Sequence, residues 1–175
     1  MVRLVLCARD GSALPELAPD EVLSCERTES DGGGYSMDLE TTRRLRKGER
    51  LLCRDAMGTW REYVVVGLAE ERGSGTYRLE WSLMADLSEC AHRALKVPGK
   101  SGGTTAADAL AQALDGTGWQ VGEVDVASRA SCSYYYESKW ECLRSVVEAF
   151  GGEVRADVEV GASGVASRKV SLVQH

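Results

Sequence analysis

The sequence predicts an α+β fold, in which a small β-barrel domain precedes a mixed domain of two helices packed on β ribbons. Three observations predict it. Short stretches of period-2 hydrophobicity fill residues 1–84, an irregular stretch with Pro98, Gly99, Gly102 and Gly103 follows, and helical patterns with recognisable caps begin only beyond it. Strand-length apolar runs separated by turn residues at short intervals mark a barrel or sandwich, and a cluster of glycine and proline marks a boundary. The expected division is therefore a barrel-like domain at 1–86, a linker at 87–103 and an α+β domain at 104–175.

Each element of the first domain has its own signal. Val2, Leu4 and Leu6 alternate with Arg3 and Cys7, the pattern of a half-buried strand. A second strand is expected at 21–27. The run SDGGGYS then interrupts the pattern, because three glycines supply backbone freedom and no side chain to pack. Strands follow at 35–40 and 49–55, and WREYVVVGL is apolar enough to be buried on both faces, with a hairpin turn at Met57 and Gly58. In TYRLEWSLM, Tyr77, Leu79, Trp81 and Leu83 share one face of a strand. The longest helix the first 84 residues allow is Thr41 to Lys47.

In the second half, Thr104 or Thr105 caps a helix whose apolar residues Ala106, Ala107, Leu110, Ala113 and Leu114 keep helical spacing. Gly116 stands where a left-handed residue ends a helix, and Trp119 opens a strand running to Val126. A strand at 131–136 leads to Ser138-Lys139-Trp140-Glu141, a capping box, after which Trp140, Leu143, Val147 and Phe150 form a stripe that Gly151 and Gly152 end. EVRADVEV alternates strictly and returns through GASG as RKVSLVQ. No later element covers this return strand, so it is expected to be an apolar edge that pairs with another chain. That points to the front part of a longer polypeptide or to an assembly subunit, with Glu153 to Gln174 and the loop Asp31 to Gly34 as assembly surfaces.

Composition narrows the function classes. A net charge of −6 with one short basic run, Arg43, Arg44, Arg46, Lys47 and Arg50, argues against nucleic-acid binding, which needs clustered cations. No apolar run approaches the ~20 residues of a membrane span, and the apolar start is too short for a secretory signal, so synthesis in a cytoplasm is expected. Cys7, Cys25, Cys53, Cys90, Cys132 and Cys142 stand far apart and contain no C-x-x-C pair, which reads as free thiols.

Candidate chemistry is sparse. Cys90-Ala-His92 offers two ligand types but not the four a closed zinc site needs, nor a third group to orient a nucleophile. PGKSGG resembles a phosphate loop, but Ala94 stands where the first glycine belongs and two glycines part Ser101 from the helix. Tyr134, Tyr135 and Tyr136 could stack on a sugar, although a strand would turn one of them away from the other two. No catalytic residue, metal ligand or cofactor follows from these patterns. A cell-wall hydrolase or peptidase using Cys90 and His92, and a carbohydrate-binding module using the tyrosines, stay open as alternatives.

One resemblance reaches further. TAADALAQALDGTGWQVGEV, then ESKWECLRSVVEAFGGEVRADVEV and its hairpin, is similar to the N-terminal region of phage tail proteins of the prophage tail endopeptidase, tail-associated lysin or minor structural protein family. The positions that carry it are Gly116, Thr117, Gly118 and Trp119, then Ser138, Trp140 and Leu143, then Gly151, Gly152 and Glu153. It extends over Thr76 to Val173, and the histidine often found near Trp81 in that family is absent. The resemblance implies a baseplate hub component of a bacteriophage or prophage tail tip, with a barrel first domain and a mixed second one. It further implies a homotrimer in contact with the distal tail and tape-measure proteins, assembled in the bacterial host cytoplasm. Enzymatic activity, where the family has it, would lie C-terminal to this chain.

Overall fold

The computed structural model describes residues 4–29, 35–55, 58–71, 75–89, 103–132 and 137–174. The chain divides into two compact units, Met1–Ala85 with Val158–Ala166 and Asp86–Asp157 with Ser167–His175. The sequence reading assigned all of 104–175 to one domain, whereas residues 158–166 count with the first unit. Of the linker read at 87–103, residues 87–89 are helical and 90–102 lie outside the described residues.

The first unit is built on β1 (Leu4–Cys7), β2 (Val22–Glu29), β3 (Tyr35–Thr41), β4 (Arg50–Arg54), β5 (Trp60–Glu71) and β6 (Gly75–Trp81). They form one antiparallel sheet in the order β1-β4-β5-β6-β3-β2. It is a half-barrel, where the sequence reading expects a small barrel. β1 has only four residues, all paired to β4, and β2 is the opposite end of the sheet. The concave face is filled by Leu6, Leu39, Leu51, Tyr63, Val65 and Leu79 among others, each at most 3% exposed. Burying a side chain of this size contributes roughly 1.5–3 kcal/mol, so this face dominates the unit's stability.

Two local expectations fail for tertiary reasons. Residues 42–49 are irregular and not helical. Arg43 is held by Glu21 at 2.6 Å and by the Pro15 carbonyl at 2.7 Å, while the Leu45 N–H donates to the Tyr77 hydroxyl at 3.0 Å. These bonds replace the helical ones. The strand read through Met84 stops at Trp81, and α1 (Ser82–Glu89) begins, burying Leu83 and Leu87 completely one turn apart. Leu83 fits a period of two as well as a helix, which is why the sequence concealed the switch.

Residues 158–166 join the first unit through backbone bonds. Ala13 donates to the Ser163 carbonyl at 2.8 Å and Val165 to the Gly11 carbonyl at 2.9 Å, around a bridge between Ser12 and Gly164. Gly164 has φ +118°, and a Cβ there would collide with the Gly11 carbonyl oxygen. Only glycine fits this approach.

The second unit holds β7 (Thr104–Thr105), α2 (Ala106–Leu114), β8 (Gln120–Val124), β9 (Arg129–Ala130) and α3 (Lys139–Phe150), with most of β10 (Glu153–Gly161) and β11 (Gly164–Val173). Thr105 caps α2 by accepting from the Asp108 N–H at 3.1 Å, and α2 buries Ala106, Ala109, Leu110, Ala113 and Leu114. Ala107, expected in that stripe, is exposed. The Ser138–Glu141 capping box is present in both directions. The buried stripe of α3 is Lys139, Cys142, Leu143, Val146 and Phe150, while Trp140 and Val147, expected on it, are half-buried. Lys139 explains the rotation. Its ammonium donates to the Gln112 carbonyl at 2.9 Å, supplying the cation that the last turn of α2 lacks.

The hairpin of β10 and β11 gains a third strand, because β8 pairs in parallel with β11 and gives the order β10-β11-β8. The return strand is therefore central and not an edge, and Val170, Ser171, Leu172 and Val173 are buried. The expectation of an exposed apolar edge there is overturned by a pairing between segments far apart in sequence. Of the strand read at 131–136, residues 131 and 132 are not in a strand and 133–136 lie outside the described residues, while the short β9 precedes them.

Two outcomes follow from this packing. Gly164→Val should destabilise the protein by about 2 kcal/mol or more in denaturant unfolding, because both its φ and its Cβ are disallowed. Glu141 is the second. Hydrogen bonds from Ser138 hold its carboxyl below the ordinary 4.5. A lowered folded pKa means that its stabilisation is whole above pH 4.5 and is lost as pH falls through the folded value. Glu141→Gln keeps the cap but should flatten that part of the acid-unfolding profile.

Candidate functional site

The turn after α2 is the most motif-like stretch of the second unit, and its bonds are structural. The Thr117 N–H and hydroxyl both donate to the Leu114 carbonyl, at 3.1 and 2.6 Å, and the Thr117 hydroxyl accepts from the Trp119 N–H at 3.2 Å. Thr117 is thus fully engaged in closing the helix. Gly116 and Gly118 take φ of +74° and +81°, which reverse the chain. Trp119 is 4% exposed and its indole N–H donates to Asp86 at 3.0 Å. A buried indole with a satisfied donor is an anchor, not a ligand platform.

Thiol chemistry finds no support in the described residues. Burial pushes Cys53 and Cys142 up to about 11, and raises Cys25 as well. At neutral pH these thiols are protonated, and the thiol is a poor nucleophile and metal ligand. Among the described residues no cluster of three His, Cys, Asp or Glu could hold a metal ion. Cys90, His92, the PGKSGG stretch and the tyrosines at 134–136 lie outside the described residues, as does the loop at 31–34. No described helix is long and apolar enough to cross a membrane.

The basic run is largely spent within the fold. Arg43 is paired to Glu21, and Arg50 is 9% exposed, with its guanidinium 3.3 Å from Glu62 and a bond to the Arg9 carbonyl at 2.9 Å. Arg44, Arg46 and Lys47 remain on the surface.

What the first unit does present is a long terminal strand. The side chains of β2 from Leu23 to Thr28 are all exposed, and Leu23 at 53% is one of the two exposed large hydrophobics among the described residues. Its ladder to β3 carries one irregularity, between Val22 and Ser24. One edge of β2 thus offers backbone N–H and C=O groups to a partner strand.

A cavity of about 270 Å³ in the same unit is lined by Arg27, Tyr35, Asp55, Arg61, Tyr63 and Trp81, with Thr28 at its side. Tyr35 and Trp81 meet edge to face, with ring centres 5.4 Å apart. Asp55 accepts from Arg61 at 3.0 Å and from the Thr59 N–H at 2.9 Å. The sequence reading missed these residues, although a signal was there. Arg61 lies in phase with Tyr63 and Val65 on β5, and Arg27 pairs with the core residue Met37, so both cations occupy core-facing positions. A second hollow, of about 240 Å³, lies along α3 between Glu137, Glu141, Arg144, Ser145 and Glu148.

The resemblance to phage tail proteins read in the sequence holds. Residues 95–172 match the family described as a prophage endopeptidase tail domain. The whole fold is similar to that of a prophage tail protein, gp18, from Listeria monocytogenes, with a TM-score of 0.59 at 11% identity, covering 97% of this chain and 50% of that one. A tail protein from Neisseria meningitidis aligns with a TM-score of 0.56 at 14% identity, covering 97% of this chain and 50% of that one. The 43 kDa tail protein of prophage MuSo2 from Shewanella oneidensis gives 0.56 at 15% identity, with 97% and 54% coverage. The chain thus spans about half the length of these solved tail proteins. No curated protein matches it.

Trp119→Ala should cost on the order of 3–5 kcal/mol in denaturant unfolding, from the lost volume together with the lost indole bond to Asp86. Asp86→Ala should cost a smaller amount, about 1–3 kcal/mol.

Proposed function

We propose that this chain is a structural component of a bacteriophage or prophage tail tip, the baseplate hub, taking part in tail assembly and in attachment to or penetration of the host cell. The observation that carries the reading is the agreement of the family match over 95–172 with the fold likeness over 97% of the chain. On this reading the protein works by presenting surfaces, as a minor structural protein in the virion tail after assembly in the bacterial cytoplasm. Its partners are further copies of itself in a trimer, the distal tail protein and the tape-measure protein. A ring of copies needs two different complementary patches on each protomer, and an unpaired strand edge supplies one of them.

β2 is the surface this reading selects first, because in the C-terminal hairpin β11 is already paired on both sides and only β10 ends its sheet. The experiment is to purify tail particles from a host carrying the gene and to detect the protein in them. The wild-type chain should co-purify with tails. Leu23→Lys should reduce incorporation at least about tenfold, the loss of ~1.4 kcal/mol at the contact, while leaving the unfolding midpoint unchanged. Particles free of the wild-type protein would contradict the tail reading. Full incorporation of Leu23→Lys would contradict the role of β2.

A further inference from the structure

The two buried tyrosines of the half-barrel differ in one respect. Tyr77, 5% exposed, accepts from the Leu45 N–H at 3.0 Å, so its hydroxyl has a partner. Tyr63 is 3% exposed and lines the cavity, yet its hydroxyl has no hydrogen-bond partner among the described residues. The hydroxyl oxygen itself is not fully enclosed, so its donor opens onto the cavity and is left unused by the fold. Burial pushes Tyr63 up to about 12, so it stays a neutral O–H donor at every physiological pH.

Arg27 stands on the same cavity with capacity in hand. Of the five N–H donors of a guanidinium, one bond is made, from Nη2 to the Arg54 carbonyl at 3.3 Å, which is long for a charged donor. Arg61 adds a second guanidinium, and its charge is shared with Asp55. Among the described residues the wall holds two cations and one carboxylate, with the rings of Tyr35 and Trp81 beside them. The cavity, at about 270 Å³, is well above the ~30 Å³ share of one water. It is smaller than most drug-sized pockets, which begin near ~300 Å³. One short side chain or one small molecule fills it.

Unused donors of both kinds, one neutral and one cationic, call for an acceptor that carries negative charge and can take two bonds at once. We propose that this cavity is a binding site for a carboxylate, held between the Tyr63 hydroxyl and the Arg27 guanidinium with its aliphatic stem against the Tyr35 and Trp81 rings. Arg27 is the orienting cation, since a guanidinium and a carboxylate match as planar forks. The carboxylate can come from the acidic side chain of a partner protein or from a free small acid. The chemistry is shared, and the test separates the sources.

The test follows the side-chain resonances of Arg27 and Tyr63 by NMR while the full chain is titrated with acetate, glutarate, an acetyl-Gly-Glu-Gly-amide peptide and its Gln counterpart. Saturable shifts with the carboxylates are expected, and the Gln peptide should bind about tenfold more weakly or not at all, because the charge is lost. Tighter binding of the Glu peptide than of glutarate assigns the site to a protein partner; the reverse order assigns it to a small acid. Arg27→Gln and Tyr63→Phe, the first exposed and the second isosteric in the core, should each abolish the shifts of the residue left in place while the unfolding midpoint stays within the error of wild type. Absence of saturable shifts in the wild type, equal binding of the Gln peptide, or shifts that survive both substitutions would overturn the proposal.

Discussion

Backbone hydrogen bonding sets the terms for the first unit. A sheet that closes on itself has no free N–H or C=O groups along its strands, whereas this one curls through β1-β4-β5-β6-β3-β2 and leaves its end strands unpaired to each other. The four residues of β1 are too few to close the ladder, and β2, eight residues long, keeps one edge open. Across the opening, Arg27 of β2 reaches the Arg54 carbonyl of β4 with a side chain at 3.3 Å, where a barrel would have a ladder. The exposed strand and the donor-lined cavity are both consequences of incomplete closure. Both surfaces proposed for this unit arise from what the fold leaves open.

The second unit spends its polar groups differently. Caps and anchors within the unit take up polar groups at the ends of α2 and at the start of α3. Thr105 and Ser138 cap the starts, Thr117 takes the Leu114 carbonyl, and Lys139 takes Gln112. Trp119 is fixed through Asp86. Satisfied caps and anchors hold the helices of this unit in place. This is the part that matches the prophage tail domain, over 95–172.

Much of the architecture was legible because it is local. The capping box, the Thr105 cap, the Gly116 turn and the burial of Trp119 each follow from residues within a few positions of one another. Alternating hydrophobicity placed the strands of the first unit to within a few residues. What stayed hidden is non-local. The parallel pairing of β8 with β11 joins segments about fifty residues apart and turns the expected edge strand into a central one. The bridge between Ser12 and Gly164 spans nearly the whole chain. α1 was missed because Tyr77, Leu79, Trp81 and Leu83 continue a strand pattern with no glycine or proline to mark the change. The cavity escaped because its residues come from β2, β3, β5 and β6 and the start of the β4–β5 turn, and only Arg27 and Arg61 on core-facing phases hinted at it.

The proposed function turns on β2, the end strand of its sheet, being completed by a partner strand in the assembled tail. Amide hydrogen exchange measured on the purified chain and on purified tail particles tests it most directly. Alternate amides of β2 that do not bond to β3 should exchange within seconds in the free chain and become protected in the tail, while β5, paired on both sides, changes little. Equal exchange of the β2 amides in the two states would contradict the account.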